Sequence, residues 1–94
     1  MRILICSDGT PPADTATRIG GFLAAACHAE TTLLGVAEEP RDEQPLRKAL
    51  EAQAQSLRAG GVTPEIVVRQ GEPIRKILDQ TRATAYDLVE LSLA

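Results

Sequence analysis

The 94 residues are enough for one small domain and no more. Ten Lys and Arg against 13 Asp and Glu leave a formal net charge of −3, mixed along the chain, with no basic stripe to engage nucleic-acid phosphates. Phe22 and Tyr86 are the only aromatic residues, which argues against a base-stacking surface, and no apolar run approaches bilayer length.

The chain is organised around its first dozen residues. Ile3, Leu4, Ile5 and Cys6 form an unbroken apolar run, and Ser7, Asp8, Gly9, Thr10, Pro11 and Pro12 are all turn formers. A short apolar run closed by turn signals predicts a strand buried on both faces, at the centre of a parallel sheet. Thr10 can cap a helix that has Pro11 or Pro12 in its first turn, where a missing N–H costs nothing. Asp8 and Gly9 then lie at the carboxyl end of a central strand, where open α/β sheets place ligands. The same two residues also make an ordinary turn.

A first helix is predicted over residues 12–27, with Ala16, Ile19, Gly20, Leu23, Ala26 and Cys27 on one apolar face. Gly20 and Gly21 cost about 1 kcal/mol each relative to Ala inside a helix, which close approach to the sheet would offset. Residues 31–36 read as a second strand rich in β-branched residues, and residues 38–44 as solvated loop. Pro45 opens a second helix, with Leu46, Ala49, Leu50, Gln53, Ala54 and Leu57 on one face and a left-handed cap at Gly60-Gly61. Residues 64–68 form a third strand. Pro73 starts a third helix, with Ile74, Ile77, Leu78 and Thr81 inward.

Residues 87–93 make a fourth strand. Alternation puts Leu88, Glu90 and Ser92 on one face, and Val89, Leu91 and Leu93 on the other. The second set is expected under the third helix, and the first on a partly open face. The order β-α-β-α-β-α-β implies a parallel sheet with right-handed crossovers. The expected core is Ile3, Leu4, Ile5, Leu23, Leu33, Leu34, Leu50, Ile66, Val67, Ile77 and Leu78.

Cys6 and Cys27 sit at opposite ends of the first helix. Its 15 or so residues, at about 1.5 Å each, separate the thiols by roughly 20 Å, beyond the ~7 Å Cα limit of a disulfide. Both are expected to be free and buried. His28 is the only histidine, so no metal-ligand set and no Cys-His pair is expected. No signal peptide precedes the first strand, and the expected compartment is the cytoplasm.

Ser7-Asp8-Gly9-Thr10 after a strand, a small-residue helix, and Thr31-Thr32-Leu33-Leu34-Gly35-Val36 resemble the universal stress protein domain. Residues 67–78 are similar to that family's third strand and third helix, and Tyr86-Asp87-Leu88-Val89 to the start of its fourth strand. The resemblance covers nearly the whole chain. It implies an α/β three-layer sandwich of the adenine nucleotide alpha hydrolase-like kind, with the sheet ordered 3-2-1-4 here as one domain over residues 1–94.

By that resemblance Asp8 and Val36, with Gly9 beside them, would hold the adenosine end of a nucleotide. The family's glycine-rich phosphate loop follows the fourth strand, ahead of a fourth helix and fifth strand. The sequence ends at Ala94, before that loop. Such a loop binds phosphate through backbone N–H groups and the next helix start, and Glu72 brings negative charge to the helix start nearby. ATP or AMP binding is therefore expected to be weak, with little advantage over adenosine, in a crevice between the first and fourth strands.

The readings are a stress-response binding module, a structural or interaction subunit that binds no nucleotide, and an enzyme that uses Asp8. The sequence favours them in that order. An open fourth-strand edge with apolar residues predicts a homodimer through that edge.

Overall fold

A computed structural model describes residues 1–92. Strand β1 spans Arg2–Ser7, helix α1 Pro11–Cys27, β2 Glu30–Ala37, α2 Glu43–Ala59, β3 Glu65–Gln70, α3 Pro73–Ala83 and β4 Leu88–Ser92. The four strands form one sheet in the order β3-β2-β1-β4, and every pairing is parallel. β1 is central because its side chains have apolar cover on both sides. Ile3 and Ile5 pack with Leu33, Leu50 and Ala24 beneath α1 and α2. Leu4 and Cys6 pack with Leu34 and Ile77 beneath α3. Each fully buried Leu or Ile contributes about 1.5–3 kcal/mol, so this strand anchors both layers.

α2 begins two residues before Pro45, after a 3-10 turn over Pro40–Asp42. Pro45 is tolerated there because N–H groups of a first helical turn have no acceptor within the helix. The α1 cap is His28, left-handed at φ 51°, with its N–H bonded back to Ala24 and Ala25.

Three expected burial patterns are rotated in the structure. The buried face of α1 is Ala13, Thr17, Gly20, Gly21 and Ala24, while Ile19, Leu23 and Cys27 are exposed. The small residues set this phase, because they let the helix come close. A Cβ on Gly20 would lie 3.0 Å from Ile5 Cδ1, and one on Gly21 2.5 Å from Leu57 Cδ2. On α3 only Ile77 is buried, and Ile74 and Leu78 are exposed. α3 packs over β2, so Val89 and Leu91 are not beneath it and stand exposed. Glu90 faces α1 instead and is half-buried. Ile66 and Val67 are partly buried, and Leu93 lies outside the described residues.

Candidate functional site

β1 delivers its last residues into a tight turn. Asp8 Oδ1 accepts from the Thr10 N–H at 3.0 Å and from the Thr10 hydroxyl at 2.5 Å. Thr10 is the N-cap residue of α1, but its hydroxyl serves Asp8 and makes no cap bond. Gly9 has φ +77°, and a Cβ there would meet Ala49 Cβ at 3.0 Å. Both facts call for glycine, one for backbone conformation and one for space against α2.

A buried polar chain holds this turn from below. Ser7 Oγ donates to Gln53 Oε1 at 2.8 Å and accepts from the Gly9 N–H at 3.1 Å, and Gln53 Nε2 donates to Asp14 Oδ1 at 2.6 Å. The chain ties β1 to both α1 and α2. Gln53 stood out in sequence as the one polar residue on an apolar helix face, and that was the available signal for it.

The candidate site is a cleft of about 320 Å³ at the carboxyl ends of β1 and β2, roofed by the start of α3, within the roughly 300–1,000 Å³ of small-molecule sites. Its apolar lining is Leu34, Val36, Ile74 and Ile77, with Cys6. Asp8, Glu38 and Glu72 bring three carboxylates to it. Among the described residues no group of His, Cys, Asp and Glu converges as a metal ion requires.

Asp8 and Val36 also line a hollow on the α2 side of the turn, of about 430 Å³, together with Gly9. The structure thus brings Asp8 and Val36 to both openings and Gly9 to one. The cleft lies to the β2 side of β1, not between β1 and β4, because α3 covers β2. Glu72 was expected to bring negative charge to the helix start beside the site, and it lines the cleft; Glu38 was not named as a site residue, and its strand-exit position carries no local sign that it faces this cavity.

Neither helix start near the cleft offers free N–H groups. At α3, Glu72 Oε1 accepts from the Ile74 N–H at 3.1 Å and Oε2 from the Arg75 N–H at 2.8 Å, and Pro73 has none. At α1, Pro11 and Pro12 have none either, and the N–H groups of Ala13 and Asp14 bond to the Thr10 carbonyl. A phosphate would have to displace Glu72 and approach three carboxylates. Burial pushes the Cys6 thiol up to about 11, so at neutral pH it enters the cleft as an uncharged thiol. The cleft thus combines an apolar lining with the acidic residues Asp8, Glu38 and Glu72 at its border.

The profile of the universal stress protein family matches residues 1–91. No curated protein matches the sequence. Among solved structures, the chain is similar to a universal stress protein in complex with cAMP, at TM-score 0.82 and 19% identity, over 95% of this chain and 69% of that one. It is also similar to a universal stress protein from Archaeoglobus fulgidus, at TM-score 0.81 and 16% identity over 97% and 74% of the two chains. A family protein from Burkholderia pseudomallei gives TM-score 0.82 and 17% identity over 97% and 80%. At these identities the likeness is one of fold.

Proposed function

The chain belongs to the universal stress protein family, and from that premise we propose a cytoplasmic stress-response binding module that holds the nucleoside end of an adenine compound, weakly, and works as a homodimer through the β4 edge. Asp8 contacts the ribose or base, and Val36, at the end of β2, offers backbone groups and an apolar edge to the base. Gly9 keeps the turn close enough for Asp8 to reach. The observation that carries this reading is the cleft itself: an apolar lining beside Asp8, next to helix starts whose N–H groups are already bonded or missing. That the fold can present an adenine compound is supported by the neighbour solved with cAMP.

Calorimetric titration with adenosine tests the reading, on the wild type and on Asp8→Asn. Asn keeps a side-chain oxygen for Thr10, so the turn survives while the carboxylate charge is lost. The expected outcome is saturable heat in the wild type and none in Asp8→Asn, with the same unfolding midpoint for both. Absence of heat in the wild type at millimolar adenosine would instead favour an interaction subunit without a ligand.

A further inference from the structure

Gln53 sits on the buried face of α2, among Leu46, Leu50, Ala54 and Leu57. It is 5% exposed, and it borders a groove between α1 and α2, apart from the cleft. A polar side chain at that depth costs stability unless it is hydrogen-bonded, and a Met would fill the same space. What Gln53 adds is direction.

The bonds around it all run one way. The Gly9 N–H donates to Ser7 Oγ, the Ser7 hydroxyl donates to Gln53 Oε1, and Gln53 Nε2 donates to Asp14 Oδ1. A carboxylate only accepts, so Asp14 admits one orientation of the Gln53 amide, with Oε1 turned to Ser7. That orientation commits the Ser7 proton to Gln53 and leaves a Ser7 lone pair for the Gly9 N–H. Ser7 is 1% exposed, so water does not compete for its hydroxyl. Links that point the same way strengthen one another, and the last one is charge-assisted.

Gly9 needs this hold. Its φ is +77°, a conformation that glycine reaches freely but does not keep, because a residue without Cβ has the widest choice of backbone conformations. Asp8 directly precedes it and shares its turn. Without Gln53, the Ser7 hydroxyl is free to move among its staggered rotamers, and the bond to the Gly9 N–H moves with it.

We propose that Gln53 is a positioning residue of the cleft: it touches no ligand, and it sets where Asp8 stands through Ser7 and the Gly9 N–H. Its effect on a ligand rests on the adenosine reading above, and its effect on the turn does not.

Amide hydrogen exchange, read residue by residue by NMR, and calorimetric titration with adenosine test this on the wild type and three variants. Gln53→Met keeps the volume and removes both side-chain bonds. Gln53→Glu keeps an acceptor for Ser7 but sets a carboxylate against Asp14. Gln53→Glu combined with Asp14→Asn restores the link with donor and acceptor exchanged, since the amide at position 14 then donates to the carboxylate at position 53. In both single variants the Gly9 N–H should exchange about tenfold faster, the worth of roughly one hydrogen bond. That rise should exceed any at the Ile5 and Leu33 amides, which lie inside the sheet. The adenosine Kd should rise with it, and the double variant should return both readouts to near the wild-type values. A Gly9 rate that rises no more than those of Ile5 and Leu33 would mark a merely structural role and overturn the proposal. So would a Gly9 rate that the double variant does not recover. If the wild type binds no adenosine, the adenosine reading fails, and the Gly9 rates still decide the role of Gln53. If adenosine binds and Gly9 quickens with no change in Kd, the adenosine reading stands and the positioning role falls.

Discussion

The Asp8 carboxylate closes its own turn through Thr10 and borders the cleft, so one group both shapes the site and faces it. Glu90 is the contrasting carboxylate. Its Oε1 is cut off from solvent and has no hydrogen-bond partner among the described residues, and a Cβ on Gly20 would sit 2.9 Å from it. Burial pushes the Glu90 carboxyl above its ordinary range. A carboxyl with a raised folded-state value destabilises the fold when charged. Its contribution is therefore best below the ordinary carboxylate range and declines as pH rises through the raised value. Glu90→Gln should unfold at a higher temperature than the wild type at pH 7, with the difference closing as pH falls well below the ordinary Glu value of about 4.3, where a Glu is protonated in both states. Melting curves across that range check it, and a constant offset would contradict it. That Asp8 and Val36 end their strands beside the cleft was within reach of the sequence, Asp8 through the turn residues after β1 and Val36 through the family resemblance. The setting of Glu90 was not, since it depends on how near α1 comes, and a face carrying a carboxylate reads as open.

At the scale of elements, helix approach is set by absent side chains. Gly35 in β2 faces α2, and a Cβ there would lie 2.6 Å from Leu50 Cδ1 and 3.0 Å from Leu46 Cδ2. Leu50 is fully buried and has nowhere to retreat. Gly35→Ala should therefore destabilise the fold by about 1–3 kcal/mol, the usual cost of overpacking, as read by urea denaturation. A neutral or stabilising result would mean that α2 can shift. Existence and order of the elements were legible from apolar periodicity and from Gly and Pro punctuation. The phases of α1 and α3 were not. Their apolar arcs are wider than the faces they bury, and the large residues Ile19 and Leu23 of α1 and Ile74 and Leu78 of α3 fall outside those faces. Periodicity gives the centre of such an arc, while close packing against the sheet goes to the small residues beside it.

For the whole molecule, a parallel sheet with β1 inside it was legible from the strand-helix alternation and the apolar run of β1, and the order 3-2-1-4 from the family resemblance. The position of the cleft was not, since it depends on which strand α3 covers. The molecule that results has an acidic, apolar-lined cleft on the β2 side of β1 and an apolar edge on the other. The central claim is that the cleft takes the nucleoside end of an adenine compound and gains nothing from its phosphates. The most direct measurement is the ratio of the adenosine and ATP dissociation constants, found by calorimetry on the same preparation. The account predicts weak binding of both, with ATP no tighter than adenosine. Micromolar binding of ATP without binding of adenosine would contradict it.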